Sequence, residues 1–303
     1  MNILVVGCGN IAFRHLQYLH KNKKIIKIYL LDKKISTTEK FIIKFTNKKK
    51  FILIKNIKDI AEKKIKFCIL STLSYNRLKL FETLERNLKI KYWLIEKILE
   101  SNQSLIKKFN KSKFNKNTYV NIPLTISEFF FEIKKILKKN SIIEISLKKK
   151  NWNLGSNAIH FIAFVSKLTQ SKIKEIKLVN CKLKKSKHKK FDEIDGQIKV
   201  NYSKNFNLLI QNQTKYNSIE FRLLNDRRII YDFNKNELRY INLRKVILKK
   251  IIYRYNSFYT NEVFKKILKR NKLNLPTASE HFSENKKYIL SVNNYFKKKI
   301  YLT

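Results

Sequence analysis

The sequence predicts an α/β protein of two domains, a doubly wound parallel sheet at residues 1–122 and an α+β domain with a large, mostly antiparallel sheet at residues 123–303. Three observations lead to this prediction. Strand and helix patterns alternate over about the first 120 residues, and stretches that alternate apolar with polar residues are frequent in the second half. Two of the 4 glycines, Gly7 and Gly9, also stand one residue apart directly after the first apolar run.

The N-terminal half consists of short apolar runs that alternate with helical patterns. Residues 2–6 (NILVV) form a continuous apolar run ended by a glycine, which is typical of a buried parallel strand. Parallel strands joined by helices use right-handed crossovers, so the series predicts a doubly wound sheet. The further predicted strands lie at 25–31, 51–54, 67–71, 92–95 and 118–122, and the predicted helical segments at 11–22, 41–45, 57–63, 77–87 and 105–109.

Beyond Pro123 the pattern changes. Stretches such as NLLIQ and IEFRL alternate apolar with polar residues, as expected for an antiparallel sheet with one solvated face. The lysine-rich segment 184–190 is interpreted as a solvated hairpin tip. The predicted strands lie at 142–148, 173–183, 196–202, 207–211, 219–224 and 228–233, and the predicted helices at 126–137, 157–168, 259–269 and 279–298.

The formal net charge of +46 suggests a nucleic-acid partner at first sight. The lysines are spread over the whole chain, however, and Ile and Asn are also abundant, whereas Gly, Pro and Ala are few. A genome that favours A/T-rich codons explains this composition without any partner. No localised basic face or nucleic-acid-reading motif is found, so we expect weak, salt-sensitive attraction to polyanions and no specific nucleic acid.

Cysteine usage and hydropathy indicate the compartment. Cys8, Cys68 and Cys181 lie far apart without CxxC spacing, which is typical of free thiols in a reducing compartment and predicts neither a disulfide nor a metal site. No uninterrupted apolar stretch approaches the roughly 20 residues that span a bilayer, and no basic segment precedes the first apolar run. We therefore expect a soluble cytoplasmic protein that does not bind membranes.

The glycine pair lies in a pattern that is typical of dinucleotide binding. Gly7, Gly9 and Ala12 form G-x-G-x-x-A between a predicted strand and a predicted helix. This pattern permits a tight turn, a close approach of backbone to a pyrophosphate and close packing of helix on strand, with the helix N-terminus facing the phosphates. Asp32 ends the second strand 23 residues after Gly9, where a carboxylate can reach the adenosine ribose hydroxyls. An ordinary strand–helix turn is the alternative.

Two further segments carry candidate chemistry. Lys97 follows the strand 92–95 at the carboxyl edge of the sheet, where open α/β sheets bind ligands, and could orient a substrate or relay a proton. Asn157 and His160 lie three residues apart on one face of a predicted helix. The plainer alternatives are one lysine among many and a satisfied core histidine.

Four segments match one family in order and spacing: VVGCGNIAFRH, CILSTLSYNR, WLIEKIL and WNLGSNAIHFIAF. With them the chain resembles the Gfo/Idh/MocA oxidoreductases over essentially its whole length. The resemblance implies a Rossmann domain that binds NAD or NADP. It also implies hydride transfer to or from a sugar or sugar-derived alcohol or ketone in the cleft between the domains. The NAIH version resembles a subgroup associated with surface-carbohydrate metabolism, and the family often forms dimers or tetramers through the second domain's sheet.

The resemblance also implies residue roles. Lys97 matches the lysine of the family's EKP motif and His160 its proton-transfer histidine, so both are predicted to be catalytic, with Asn157 binding substrate. Asp32 favours NAD, because a carboxylate repels a 2′-phosphate, although Lys33 weakens this preference. The predicted cofactor-binding residues are Gly7, Gly9, Asn10, Ile11, Asp32, Ser71, Thr72, Glu96 and Lys97.

The chain departs from the family pattern at several positions. Ile98 replaces the proline of EKP, and Leu73 and Arg77 replace the proline and histidine of TPNxxH. Ser156 and Ala163 occupy positions where many members carry aspartate. An active enzyme is the leading hypothesis, and a catalytically degenerate dinucleotide-binding or regulatory protein of the same fold is the alternative.

Overall fold

The computed structural model describes residues 1–45, 48–138, 140–150, 152–213, 215–243, 245–254, 256–269 and 273–303. The chain divides into two compact units. The first consists of Met1–Pro123 and Tyr255–Phe282, and the second of Leu124–Arg254 and Ser283–Thr303.

A six-stranded parallel sheet forms the centre of the first unit. The strands lie in the order β3-β2-β1-β4-β5-β6, so β2 and β3 are added on one side of β1 and the last three on the other, and the chain changes sides between β3 and β4. Ligands of open α/β sheets bind at the carboxyl ends of strands beside such a change of side. The strands are β1 (Asn2–Val6), β2 (Lys27–Leu31), β3 (Phe51–Ile54), β4 (Lys64–Leu70), β5 (Lys89–Ile95) and β6 (Thr118–Val120).

Apolar side chains on both faces of these strands explain why the sheet is buried. In β1 the four residues after Asn2 are buried, as a continuous apolar run requires between two layers of helices. Helix α1 turns a stripe of Ala12, His15, Leu16 and Leu19 to the protein interior. The helices that join the strands are α1 (Asn10–Leu19), α2 (Ile35–Ile42), α3 (Arg77–Asn87) and α4 (Gln103–Lys108).

An eight-stranded sheet forms the second unit, in the order β14-β13-β12-β11-β7-β10-β9-β8. Strands β7 and β10 pair in parallel, and the other neighbours pair antiparallel. In β11 and β12, buried residues alternate with intermediate or exposed ones, as expected when one face is packed. The strands are β7 (Ile142–Lys150), β8 (Ile173–Lys185), β9 (Asp192–Tyr202), β10 (Asn207–Gln213), β11 (Ser218–Leu223), β12 (Arg228–Asp232), β13 (Glu237–Asn242) and β14 (Lys245–Lys250).

Two helices of this unit precede and follow β7, namely α5 (Glu128–Leu137) and α6 (Leu154–Thr169). Helix α6 packs on β9 and β10 and is buried along most of its length. Both edge strands of the sheet carry exposed lysines, in β8 Lys174, Lys177, Lys182, Lys184 and Lys185, and in β14 Lys245, Lys249 and Lys250.

The last two helices are α7 (Asn256–Leu268) and α8 (Ala278–Phe296). Helix α7 packs against α1 of the first unit, and the ring of Phe264 lies 5.6 Å from that of Phe67 in β4. The nitrogen of Val120 donates to the carbonyl of Pro276 at 3.0 Å, beside the bridge between Tyr119 and Thr277. The chain therefore returns to the first unit after the second. The sequence predicts one boundary, between residues 122 and 123, and so assigns residues 255–282 to the second domain, because a single boundary cannot describe a chain that returns.

The predicted fold class is confirmed, with a parallel sheet followed by a mostly antiparallel one. The sequence prediction omitted β13 and β14, whose residues lack a buried alternating face, β14 being exposed throughout. The predicted helix 57–63 is only a short 3₁₀ turn at Ile57–Asp59. Within the described residues, no helix is long and apolar enough to cross a membrane.

The placement of α7 can be tested with Phe264→Ala. Removing this buried ring should cost about 3–5 kcal/mol of unfolding free energy, through lost burial and a cavity beside Phe67. Hydrogen exchange should accelerate in peptides from α1 and β4, and peptides from β9 and β10 should be unaffected. Lys265→Ala, an exposed neighbour, is the control. Faster exchange confined to β9 and β10 would contradict the placement.

Candidate functional site

The turn after β1 depends on Gly7. Its φ is +83°, in the region that favours glycine, and its nitrogen donates to the carbonyl of Leu31 at 3.0 Å. A Cβ on Gly7 would lie 2.7 Å from the backbone nitrogen of Thr72. The turn therefore brings the end of β1 against the loop that follows β4, and the fold itself requires glycine here.

Gly9 stands at the N-cap of α1 and differs from Gly7. Its φ is −84°, and no atom lies within 4 Å of the position a Cβ would take. The N–H groups of Asn10 and Ile11 lie in the first turn of α1, where backbone donors have no intrahelical acceptor, and Gly9 has no side chain to cap the helix. The open space and these donors fit a phosphate group at the helix N-terminus.

Asp32 follows β2 and holds the glycine turn. Its Oδ2 accepts a hydrogen bond from the Cys8 nitrogen at 2.6 Å, and its Oδ1 accepts from the Lys34 nitrogen at 2.8 Å. Burial, with the charge of Asp32 adding to it, raises the pKa of the Cys8 thiol to about 12. The thiol stays protonated at neutral pH, so Cys8 is a packed residue and not a nucleophile.

The loop after β4 lies against the same turn. Ser71 Oγ donates to the carbonyl of Gly7 at 2.8 Å, and the Ser71 nitrogen donates to the carbonyl of Val6 at 2.8 Å. The hydroxyl of Thr72 is buried and has no hydrogen-bond partner within the described residues. A buried hydroxyl without a partner, in the loop that lies against the Gly7 turn, is consistent with a site that a ligand completes.

Glu96 and Lys97 come directly after β5. Glu96 Oε1 accepts from Asn121 Nδ2 at 2.5 Å and from His15 Nε2 at 2.8 Å. The other ring nitrogen of His15 lies 2.6 Å from Thr260 Oγ1 in α7. Lys97 is partly exposed, and the peptide between Lys97 and Ile98 is cis. The side chain of the residue before Lys97 is therefore held by two other parts of the first unit, and one of these partners, His15, is itself in contact with α7.

Arg77 begins α3 and is a buried cation. Its guanidinium donates to the carbonyls of Glu96, Ile98 and Thr72. Desolvation lowers the pKa of Arg77 to about 10, against the opposing attraction of Glu96 and Glu100, so the group remains protonated at neutral pH.

Glu100 caps α3 from outside the helix. Its carboxylate accepts from the nitrogens of Asn76 and Leu78, both at 3.1 Å, and from that of Asn102 at 2.7 Å. Desolvation raises the pKa of Glu100, and these backbone donors counteract the shift. A carboxylate at this helix end supplies the cap that Asn76 does not, because the side chain of Asn76 makes no capping bond.

In the second unit, Asn157 and His160 lie near the start of α6. Both are partly exposed on a helix that is otherwise mostly buried, and they stand three residues apart on one side. Asn157 Nδ2 donates to the carbonyl of Asn153 at 2.9 Å. Ala163, one turn further along, is buried.

A carboxylate that the sequence did not indicate lies at the same helix end. Glu193, a buried residue of β9, accepts from the Ser156 nitrogen at 3.1 Å. The hydroxyl of Tyr288 donates to the carbonyl of Gly155 at 2.6 Å. Burial, together with the negative charge of Glu193, raises the pKa of the Tyr288 hydroxyl well above its ordinary value. Ser156 is thus one of the residues that hold the N-terminus of α6 on the sheet.

The structure brings the predicted cofactor-binding residues of the first unit to the carboxyl ends of β1, β2, β4 and β5. Lys97 belongs to the first unit, and Asn157 and His160 belong to the second. The sequence did not predict the residues that hold the Glu96–Ile98 turn or those that hold the start of α6. Acidic residues are few in this lysine-rich chain, and their scarcity is the one sequence signal that points to some of these partners. These residues are Arg77, Asn121, Thr260, Glu100 and Glu193. No group of three or more potential metal ligands occurs within the described part of the chain.

No protein-family model and no curated protein matches the chain. Solved structures do share its architecture. The UDP-N-acetylglucosamine 3-dehydrogenase GnnA from Acidithiobacillus ferrooxidans is 9% identical, with a TM-score of 0.72 over 97% of this chain and 98% of its own. The 3-ketoreductase KijD10 from Actinomadura kijaniata, in complex with TDP-benzene and NADP, is 10% identical, with a TM-score of 0.70 over 96% of each chain.

A super-repressor mutant of Gal80p from Saccharomyces cerevisiae is 11% identical, with a TM-score of 0.70 over 98% of this chain and 96% of its own. These neighbours are of the Gfo/Idh/MocA type. The parallel six-stranded sheet and the mostly antiparallel eight-stranded sheet give this chain the two-domain fold of the Gfo/Idh/MocA oxidoreductases.

Proposed function

We propose that the protein is an NAD(P)-dependent oxidoreductase that transfers a hydride between a nicotinamide cofactor and a CH–OH group, or the corresponding ketone, of a sugar or sugar-derived substrate. The observation that carries this proposal is the environment of Gly9. A Cβ at position 9 would meet no atom of the protein within 4 Å, and the backbone φ of −84° suits any residue.

Gly9 contrasts with the other three glycines of the chain. A Cβ would come within 2.7 Å of a neighbouring atom at Gly7, 3.0 Å at Gly155 and 2.7 Å at Gly196. The fold therefore requires glycine at Gly7 and Gly196, where φ is also positive, and leaves little room for a Cβ at Gly155, but it gives no reason for glycine at position 9. Ser, Asp or Asn would cap α1 better than glycine does. A pyrophosphate that approaches the backbone closely supplies the missing reason.

The other residues of this site suit the remaining parts of a dinucleotide. The N–H groups of Asn10 and Ile11 face the phosphates from the helix N-terminus, and Asp32 accepts hydrogen bonds from the adenosine ribose. Ser71 and Thr72 line the neighbouring loop, with Glu96 and Lys97 toward the nicotinamide end. When bound, the nicotinamide gives up or receives the hydride.

Side chains of the protein transfer the proton. As the C–H hydride leaves an alcohol and the carbonyl forms, the hydroxyl proton passes to the Lys97 amine. In the reverse direction the Lys97 ammonium polarises the carbonyl and returns that proton. His160 acts as a second acid/base or substrate anchor, with Asn157 as a hydrogen-bonding neighbour.

Two of the neighbours suggest the substrate class, since one is described as a UDP-sugar dehydrogenase and another was solved with a TDP compound and NADP. A nucleotide-linked sugar of surface-carbohydrate metabolism is therefore our first choice, and a homodimer or homotetramer the expected assembly. The alternative is a dinucleotide-binding regulator without turnover. The replaced positions Leu73, Ile98, Ser156 and Ala163, and the likeness to Gal80p, favour it.

The dinucleotide site can be tested with Gly9→Ala and Gly7→Ala. In Gly9→Ala the fold has room for the methyl group, so thermal stability should be unchanged, whereas NADH affinity should fall at least about tenfold, or 1.4 kcal/mol. Gly7→Ala should instead lower the unfolding free energy by more than about 1 kcal/mol, because its φ is positive and Thr72 is too close. Calorimetry and NADH fluorescence titration measure both effects. Unchanged NADH affinity in Gly9→Ala would remove the proposed site.

Asp32 is expected to set the choice between the two cofactors. NADH should bind the native protein more tightly than NADPH, and Asp32→Asn should narrow the ratio of the two affinities by about tenfold, since the charge that repels a 2′-phosphate is removed. Asp59→Asn removes an exposed carboxylate elsewhere in the same unit and serves as the control. Tighter binding of NADPH by the native protein would reverse the preference, and binding of neither would end the oxidoreductase proposal.

Lys97→Met tests the proposed proton transfer. Turnover should fall by about 10² to 10⁴, and NADH affinity should change little, because the amine acts on the substrate. Turnover is followed at 340 nm with NAD⁺ or NADP⁺ and a panel of UDP- and TDP-linked sugars and free sugar alcohols. Lys91→Met, on the exposed side of β5, is the control, and His160→Ala should show the same selectivity. Native turnover in Lys97→Met would contradict the assignment; cofactor binding without turnover of any substrate by the native protein would favour the regulatory alternative.

A further inference from the structure

Arg77 stands where a buried cation is unexpected. It is the first residue of α3, 3% exposed, at the end of the loop that follows β4. An arginine is almost never buried without partners, because removing its charge from water is costly. The hydrogen-bond partners of the Arg77 guanidinium therefore indicate its role.

The partners of the guanidinium bracket Lys97. One nitrogen, Nη1, donates to the carbonyls of both Glu96 and Ile98, the residues on either side of the lysine. The other, Nη2, donates to the carbonyl of Thr72 in the loop beside the glycine turn. A single rigid, planar group thus fixes the backbone before and after Lys97 and joins it to the edge of the proposed dinucleotide site.

The charge of Arg77 is balanced from the same region. The carboxylates of Glu96 and Glu100 attract the guanidinium, and its pKa of about 10 leaves it protonated at neutral pH. Glu96 is itself held through its side chain by His15 and Asn121. Both the side chain and the carbonyl of the residue before Lys97 are therefore fixed by partners in the first unit.

The amino-acid sequence of the turn leaves its backbone less restricted than a proline would. A proline at position 98 would fix its own φ near −65°, and Ile98 provides no such restriction. The carbonyl of Ile98 is instead held by a hydrogen bond from Arg77. A lysine at position 77 could not reproduce this, since an ammonium lacks the flat fork that reaches several carbonyls at once.

We propose that Arg77 is a positioning residue that directs the amine of Lys97 toward the reacting oxygen of the substrate by clamping the carbonyls of Glu96 and Ile98. This inference rests on the proposed function, in which Lys97 transfers the proton. Misplacement of a catalytic group by about 1 Å can cost about 10² in rate. Arg77 contacts neither substrate nor cofactor in this account, so its loss should affect turnover far more than cofactor affinity.

The experiment compares Arg77→Lys and Arg77→Ala with the same two substitutions of Arg86. Arg86 is an exposed arginine of the same helix and serves as the control. NADH affinity, kcat on the nucleotide sugar found in the panel, and hydrogen exchange of the peptide covering residues 94–99 are measured for each. Guanidinium chloride is added to Arg77→Ala well below denaturing concentrations, with sodium chloride at equal strength as the salt control.

We expect kcat to fall about 10²-fold in both Arg77 variants, with NADH affinity within about threefold of the native value. Exchange should accelerate at residues 96–99, and guanidinium but not sodium should restore turnover to Arg77→Ala. The Arg86 variants should behave as the native protein.

Native kcat in Arg77→Lys would overturn the inference. So would equal losses of kcat and NADH affinity without guanidinium rescue, or a failure of both Arg77 variants to fold, since either result assigns Arg77 to the fold alone. The two failures are distinguishable. Native turnover in Lys97→Met would show that the proposed proton transfer has failed, whereas native kcat in Arg77→Lys together with a large loss in Lys97→Met would show that only the positioning role of Arg77 has failed.

Discussion

The structure of the first unit depends on one buried carboxylate. Glu96 is 6% exposed at the end of β5, and a carboxylate in such a place must find hydrogen-bond donors. It finds them in His15 of α1 and in Asn121 after β6, and through His15 it is linked to Thr260 of α7. His15 and Thr260 are 245 residues apart in sequence, and their contact joins helices α1 and α7 at the carboxyl edge of the sheet, beside the loops that form the proposed site.

This arrangement separates two kinds of residue within a small region. Glu96, His15 and Arg77 belong to a buried network in which the removal of one partner leaves another polar group unsatisfied, so their contributions to stability and to activity are mixed. Gly9 and Lys97 are different, because they are not part of the packed interior. The first unit thus combines a support built from buried charges with two site residues, Gly9 and Lys97, that lie outside its packed interior.

The features that the sequence predicts are those encoded by neighbouring residues. The apolar run before Gly7, the glycine pair and Asp32 at the end of a strand suffice for the first sheet and its turn, because each signal lies within a single strand–helix unit. Contacts between distant segments were not predictable. Nothing in the local sequence shows that Arg77 reaches Glu96, that Glu193 caps a helix 37 residues earlier, or that α7 returns to α1. Strand β14 was not predicted, because its residues are exposed on both sides and show no alternation of apolar and polar residues.

The lysines at the two edges of the eight-stranded sheet give the unusual composition a physical consequence. An open edge strand presents unpaired N–H and C=O groups that can bind the edge of another copy and begin aggregation. In β14 the apolar Val246, Ile247 and Leu248 are exposed between Lys245 and the pair Lys249 and Lys250. When two such edges approach, lysine side chains come together, and the lysines of β8 act in the same way. Ion pairs of Lys249 with Glu128 and Glu132, and of Lys184 with Asp195, reduce this repulsion in part. A codon bias that only enriched lysine would therefore also keep the protein dispersed in solution, at the ionic strengths where this repulsion is not screened.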